Sequence, residues 1–234
     1  MLNNESTESQ PGQIIDGMAK PFSRRKFFGI MGAGTALMVT AAACKKTNIG
    51  GSNSGVNLGS GDPGILNYAY ALEQLEAAFY TQIIKTPYSG ISTMEMSYLT
   101  DVRDHEIAHR EFFKAALGTG AIQALEVNFS SIDFTSRTSV LGTAKAFEDL
   151  GVSAYNGAGK LLVNPDYLTL AGKIVSVEAR HAALIRDLIT PGTFADMTAV
   201  DPNGLDKART PNEVLSIAGA FLKTKLNASN LPTS

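Results

Sequence analysis

The chain has one cysteine, three histidines and no tryptophan among its 234 residues. A single cysteine cannot close an internal disulfide, which excludes a disulfide-stabilised scaffold. Lysine and arginine (20) are slightly outnumbered by aspartate and glutamate (22), so no excess of basic charge indicates nucleic acid as a partner. No uncharged apolar run reaches the roughly 20 residues that a durable membrane-spanning helix needs. At 44% hydrophobic and 18% charged, the composition is that of an ordinary globular protein.

The first 44 residues have the features of an export signal. Residues 23–28, Ser-Arg-Arg-Lys-Phe-Phe, resemble a twin-arginine signal, and residues 29–43 form a weakly apolar stretch without charge. That stretch ends in three alanines before Cys44, which resembles a lipoprotein processing site except that alanine stands where leucine is usual. We therefore expect an exported envelope protein, held on the periplasmic or surface side of a membrane by lipid on Cys44. The alternative is soluble cleavage after Ala43, which would leave a free thiol.

Three segments follow this signal. Residues 45–62 are rich in glycine, serine and asparagine, which predicts a flexible linker. Residues 63–225 are predicted to form one helical domain, and residues 226–234 a tail. Residues 63–234, about 170 in number, suit a single domain.

Start and stop signals divide the domain into four long helices and a short one. Asp62 and Pro63 predict the first start, as N-cap and first-turn residue, and Asn164 with Pro165 predict another. Capping boxes of the Ser/Thr-x-x-Glu type predict two further starts. The predicted helices run from Asp62 toward Pro87, from Ser92 to Leu117, from Thr138 to about Val163, from Asn164 to about Ile189, and briefly after Thr210.

The connections between these helices predict the fold. Short hairpins join the first helix to the second and the third to the fourth. Residues 119–137 contain an alternating stretch that fits a strand, but without a partner strand we interpret it as an extended crossover loop. The prediction is an all-α four-helix bundle with one long crossover and a short C-terminal fifth helix. Glycines 151, 157 and 159 weaken the third helix and predict a close helix approach or a local bulge.

A repeated Glu-x-x-His motif is the most informative feature of the chain. It occurs at Glu106 and His109 and again at Glu178 and His181, and so contains two of the three histidines. Three-residue spacing puts the carboxylate and the imidazole on one helix face, where both can bind the same metal ion. Neighbouring apolar residues at helical spacing place these motifs on the buried stripes of their helices, which argues against solvated surface positions.

The two halves of the domain also match each other. Glu73 in the first helix is followed seven residues later by Tyr80, and Glu148 in the third helix is followed seven residues later by Tyr155. Each half therefore contains, in chain order, a glutamate, a tyrosine, a hairpin connection and a Glu-x-x-His motif. Two such hairpins packed about a pseudo-twofold axis would direct four glutamates and two histidines at one point.

The chain resembles the ferritin-like superfamily, and within it the exported bacterial proteins described as ferritin-like or desiccation-associated. The resemblance rests on residues 65–80, 147–155 and 178–183 and covers roughly residues 62–190. It implies a centre of two Fe or Mn ions, with Zn as a competitor. In that centre Glu106 and Glu178 would bridge the ions, Glu73 and Glu148 would be terminal carboxylates, and His109 and His181 would be the nitrogen ligands. Members of the superfamily oxidise iron, destroy peroxides, hydroxylate or desaturate organic substrates, or have no established chemistry.

Four further residues flank the expected ligands, and their roles are open. Glu76 lies one turn from Glu73, but its counterpart in the third helix is Gly151, so symmetry favours Glu73 as the ligand. Tyr80 and Tyr155 either serve the site, by donating hydrogen bonds to ligand carboxylates or by quenching oxidising equivalents, or pack as ordinary core tyrosines.

His105 raises a separate alternative, since His105-Glu106-x-x-His109 also fits the His-Glu-x-x-His signature of zinc proteases. That interpretation leaves Glu73, Glu148 and the second Glu-x-x-His unexplained. In a ferritin-like centre, His105 would instead flank the ligands.

The expected function is that of a lipid-anchored di-metal protein that oxidises iron or reacts with dioxygen or peroxide. The alternative is a non-catalytic, stress-protective metal-binding protein of the cell envelope. A lipid anchor on every subunit fits poorly with a closed storage shell, so we expect a monomer or a homodimer.

Overall fold

The computed structural model describes residues 55–233. The predicted export signal, Cys44 and most of the predicted linker lie outside these residues. The described part contains five α-helices: α1 (Gly61–Lys85), α2 (Thr93–Leu117), α3 (Arg137–Gly159), α4 (Pro165–Ile189) and α5 (Pro211–Ala218). Single 3-10 turns follow α2 and α5, and two short strands, β1 (Val56–Asn57) and β2 (Leu226–Asn227), lie near its two ends. The predicted all-α bundle is confirmed, with α1 packed mainly on α2 and α3 mainly on α4.

Side-chain caps set the starts of three helices where the sequence predicts them. The Ser92 hydroxyl accepts a hydrogen bond from the backbone N–H of Glu95 (3.1 Å), whose carboxylate accepts one from the N–H of Ser92 (3.0 Å). Thr210 and Glu213 form the second capping box, and Asn164 caps α4. These caps satisfy N–H groups that a helix start leaves unpaired.

The start of α1 differs from the prediction. Its N-cap is Ser60, and Asp62 lies within the first turn. The two carboxylate oxygens of Asp62 instead accept hydrogen bonds from the backbone N–H groups of Val163 and Asn164, both at 2.8 Å. Asp62 therefore fastens the α3–α4 connection to the start of α1. The third helix is also shorter than predicted, since it ends at Gly159 and not near Val163.

The boundaries of the predicted linker and tail differ from the structure as well. Val56–Asn57 pairs in parallel with Leu226–Asn227, and Leu58 is fully buried. The last residues of the predicted linker and the first of the predicted tail therefore belong to the folded domain. Their short apolar runs gave no sign of a partner 170 residues away (226 minus 56).

The crossover between α2 and α3 runs beside α1 and is held by polar side chains. The amide oxygen of Asn67 accepts a hydrogen bond from the N–H of Ile122, and that of Gln74 accepts one from the N–H of Leu125, both at 2.9 Å. The expectation that this stretch has no strand partner was wrong, because Val127 forms an antiparallel bridge with Leu222. The partner comes from the end of the chain, where local patterning does not reveal it.

Helices α1 and α3 form the interior of the bundle. Every residue from 64 to 77 in α1 is buried, whereas α2 buries only one stripe. A helix that is covered on all sides must be apolar or internally paired, while a half-covered helix needs only one apolar face. No helix within residues 55–233 combines the length and the apolarity that crossing a membrane requires.

A glycine in α3 allows the chain after α4 to approach the bundle closely. A Cβ at Gly157 would lie 1.7 Å from the carbonyl oxygen of Arg209, and the N–H of Arg209 donates to the carbonyl of Ser153 (2.9 Å). The sequence predicted a close helix approach or a bulge here. The structure shows a close approach, but to a loop backbone and not to a helix.

Two alanine substitutions in α3 should therefore have opposite effects. Gly157→Ala should lower the free energy of unfolding by about 3 kcal/mol, because the new methyl group meets backbone that cannot move aside cheaply. Gly142→Ala is the matched control, since a Cβ there meets nothing within 4 Å. It should stabilise the protein by about 0.5–1 kcal/mol. Urea denaturation followed by circular dichroism measures both, and a neutral Gly157→Ala would contradict the packing described.

Candidate metal centre

Each long helix contributes one fully buried glutamate to the middle of the bundle. These residues are Glu73, Glu106, Glu148 and Glu178, and none has any exposed surface. Ionised carboxylates are almost never buried unless they are paired or bind a cation. The position of all four at one depth in the bundle therefore indicates a site and not a packing accident.

Two overlapping groups of side chains could each hold a metal ion. One consists of Glu73, Glu106, His109 and Glu178, and the other of Glu106, Glu148, Glu178 and His181, with the ligand atoms of each group within 4.8 Å of one another. All six residues proposed from the sequence thus lie together. Glu106 and Glu178 occur in both groups, which is the arrangement that two bridging carboxylates would have.

The histidine contacts repeat in the two halves. His109 Nδ1 lies 2.8 Å from Glu178 Oε1 and 3.4 Å from Glu73 Oε2. His181 Nδ1 lies 2.8 Å from Glu106 Oε1 and 3.5 Å from Glu148 Oε2. Each imidazole therefore faces the shared glutamate of the opposite Glu-x-x-His motif and the terminal glutamate of its own group.

The ligand atoms lack hydrogen-bond partners. Within residues 55–233, ten buried side-chain nitrogen and oxygen atoms have no such partner, and eight of them belong to the six residues above. The histidine nitrogens lie within ion-pair distance of the carboxylates, but these contacts are not hydrogen bonds. Buried polar atoms in folded proteins normally have a partner, and a cluster of unpaired ones is satisfied by a bound ion.

The donor set fits a pair of divalent cations. Four carboxylates carry four negative charges, which two divalent ions neutralise. Carboxylate oxygens with a single imidazole nitrogen in each group suit Fe or Mn better than a metal that prefers thiolate, and Zn can compete.

Two tyrosines hold the outer carboxylates, and they do so across the pseudo-twofold axis. Tyr80 of α1 donates a hydrogen bond to Glu148 Oε1 of α3, and Tyr155 of α3 donates to Glu73 Oε1 of α1. In each glutamate the other oxygen, Oε2, faces the cluster and is unpaired. Of the two roles left open by the sequence, the structure supports donation to the carboxylates. A spacing of seven places Glu and Tyr on the same helix face, but it does not reveal that each tyrosine serves the opposite half.

Glu76 is a fifth buried carboxylate beside the cluster. It is 4% exposed and lies outside both ligand groups. A Cβ at Gly151 would be 3.2 Å from Glu76 Oε1, so the glycine leaves the room that this side chain occupies. The preference for Glu73 over Glu76 as a ligand, drawn from the missing counterpart, agrees with this arrangement.

The zinc-protease interpretation does not fit the position of His105. Its side chain is exposed, and no candidate metal group within residues 55–233 includes it. Its Nδ1 lies 2.9 Å from Nε2 of His181, the ring nitrogen that points away from the cluster. His105 therefore orients a candidate ligand by holding its outer nitrogen, as expected for a residue that flanks the site.

Burial and mutual charge shift the titration of this cluster. Burial raises the pKa of Glu73 well above its ordinary value and that of Glu148 to about 8. Burial opposes the charging of His109 and His181, but the surrounding carboxylates outweigh it and raise both pKa values to about 12. Against burial, contact with the two histidines lowers the pKa of Glu106 to about 2. The metal-free cluster therefore retains protons that a metal ion must displace.

The fold and the cluster define a helical bundle with a buried carboxylate–histidine centre. Residues 61–191, more than half of the chain, match the model of a protein family described as a ferritin-like domain. The chain belongs to this ferritin-like family. Curated proteins show no significant match to it.

The cluster predicts an inverse dependence of metal-free stability on pH. The pKa of both histidines is raised from 6.5 to about 12 on folding, and that of Glu148 from 4.5 to about 8. Between pH 6.5 and 8 the folded state therefore binds more protons than the unfolded state, so the free energy of unfolding falls as pH rises. The slope is up to about 1.4 kcal/mol per pH unit for each retained proton.

Differential scanning calorimetry in the presence and absence of a chelator tests this dependence. The melting temperature of the chelated protein should fall as pH rises through this range. The metal-loaded protein, whose histidines have lost their Nδ1 protons, should not follow it and serves as the control. A chelated protein whose melting temperature rises with pH would contradict the assignment of protons.

Proposed function

We propose that this protein binds two Fe or Mn ions in its bundle and reacts with dioxygen or peroxide. The observation that carries the proposal is the set of eight unpaired ligand atoms, all buried and all belonging to six residues that converge from four helices. A bound cation would give these atoms the partners that buried polar atoms normally have.

The six candidate ligands and the two tyrosines would have different roles. Glu106 and Glu178 would hold both ions, Glu73 with His109 one of them, and Glu148 with His181 the other. A bound Fe or Mn pair supplies one-electron steps at each ion and thereby the reduction of dioxygen or peroxide. Tyr80 and Tyr155 fix the rotamers of the outer carboxylates, which keeps one oxygen of each aimed at the centre.

A small apolar depression between α1 and α3 supports a small oxidant as the reactant. It is lined by Tyr68, Ala69, Leu72, Ala154, Tyr155 and Ala158 and has a volume of about 10 Å³, close to the space that one water molecule needs. Since Tyr155 donates to Glu73, the depression ends one side chain from a candidate ligand.

A second candidate function is favoured by the depth of the site. The four glutamates have no exposed surface, and His109, the most accessible ligand, exposes only 13% of its side chain. An ion held this deeply can stabilise the bundle without turnover, as in a stress-protective envelope protein. Metal that binds but is inert to dioxygen and peroxide would favour this function.

Metal titration tests the shared role of Glu106. Anaerobic addition of ferrous ion should load two ions per wild-type chain, and absorbance should change when dioxygen or peroxide is added. Glu106→Gln should weaken both ions because both candidate groups contain this residue, whereas Glu148→Gln should weaken only one. Glu111→Gln, on the exposed face of α2, is the control and should retain both. Full loading of Glu106→Gln would refute the shared site.

We also propose, from the sequence alone, that the protein is exported by the twin-arginine route and anchored through lipid on Cys44. Cys44→Ser should release it from the membrane fraction, because the acceptor thiol is missing. Replacing Arg24 and Arg25 together with lysine should keep it inside the cell. Fractionation followed by immunoblotting measures both, and a Cys44→Ser protein that stays in the membrane fraction would exclude the lipid anchor.

A further inference from the structure

Glu76 breaks the symmetry of an otherwise matched centre. It follows Glu73 by three residues in α1, and the corresponding position three residues after Glu148 in α3 is Gly151. The ligands and the tyrosines are matched: Glu73 and Glu148, Tyr80 and Tyr155, and the two Glu-x-x-His motifs. Outside the ligand set, His105 has no counterpart either, but among the buried carboxylates the asymmetry lies in Glu76 and in the glycine opposite to it.

The extra carboxylate is buried, and a glycine in α3 leaves space for it. Glu76 is 4% exposed, and no lysine, arginine or histidine nitrogen in residues 55–233 lies within ion-pair distance of it. The two oxygens of Glu76 lie 3.2 and 3.7 Å from the place that a Cβ of Gly151 would take. An interior glycine weakens a helix by about 1 kcal/mol relative to alanine, so leaving this space has a cost in α3.

Charge decides what a fifth carboxylate does at this centre. Four carboxylates already neutralise two divalent ions, and a fifth ionised one would leave a buried negative charge without a partner, which is unfavourable. Two trivalent ions, or one of each valence, carry more positive charge than four carboxylates supply. A fifth carboxylate beside them is then stabilising. Glu76 lies one helical turn from Glu73, and its carboxylate faces Gly151, one turn after Glu148, so it lies in the field of any ion that these glutamates hold.

We propose that Glu76 determines the charge selectivity of the centre, by favouring trivalent ions over divalent ions. The residue need not be a ligand, because it acts through its negative charge beside the bound pair. This inference rests on the proposed function in one respect, namely that the six ligands bind metal at all.

Redox-inert ions test the inference without any turnover. Ga³⁺, supplied as its citrate complex, serves as the trivalent probe and Zn²⁺ as the divalent one, and the bound metal is measured by elemental analysis after equilibrium dialysis. Glu76→Gln should lower the affinity for Ga³⁺ by roughly 10- to 100-fold, the usual effect of residues next to a metal centre. Its affinity for Zn²⁺ should stay the same or increase.

Two further variants separate charge from stability. Gly151→Ala presses a methyl group against the Glu76 carboxylate and keeps its charge, so it should reduce Ga³⁺ affinity by less than Glu76→Gln does. Glu95→Gln is the matched control, because Glu95 is also buried but lies in the first turn of α2, paired with Arg137. It should bind both ions as the wild type does.

The outcomes distinguish this inference from the function on which it rests. If wild-type protein binds neither ion, the metal centre itself fails, and the selectivity fails with it. If wild-type protein binds both ions and Glu76→Gln changes both affinities alike, or neither, only the selectivity is overturned. Circular dichroism of each variant confirms that the comparison is made between folded proteins.

Discussion

The burial of four carboxylates in the middle of the bundle is the constraint on which the rest of the structure depends. Carboxylates without water around them must keep protons or gain positive partners, and four of them meet here on four different helices. The two imidazoles and two tyrosines of the site all bear on these carboxylates. Each of the four long helices brings one glutamate to the same depth in the bundle. The same need for positive partners suits the cluster to binding cations.

The two halves of the domain are joined most directly at this centre. The hairpin of α1 and α2 and the hairpin of α3 and α4 each have their own packing, and far fewer contacts run between the hairpins than within them. Tyr80 and Tyr155 reach across that boundary, and so do His109 and His181. The site is therefore also a polar part of the interface between the two hairpins, together with the contacts of Asp62 and the Glu95–Arg137 ion pair.

Sequence patterns predicted the features that depend on local spacing. The Glu-x-x-His repeat identified four of the six clustered residues, the matched Glu and Tyr positions identified the other two, and capping boxes located α2 and α5. What could not be predicted depends on partners far apart in the chain. Asp62 is a residue type that often caps helices, but its carboxylate accepts hydrogen bonds from the α3–α4 connection. Val127 pairs with Leu222, which lies near the other end of the chain. Gly157 marked a close approach, yet nothing near it in sequence identified Arg209 as the neighbour.

The parallel pairing of β1 with β2 has a consequence for the order of events during synthesis. Val56 meets Leu226, so the contact closes a loop of 170 residues (226 minus 56). The ribosome must have released nearly the whole domain before this pair can form, although the α1–α2 hairpin is complete much earlier. Contacts of such long range are slow to form, because the entropy of closing the loop is lost before the contact is gained. The closure of the domain by this pair therefore comes after the segment that carries the first two carboxylates, Glu73 and Glu106, has been synthesised.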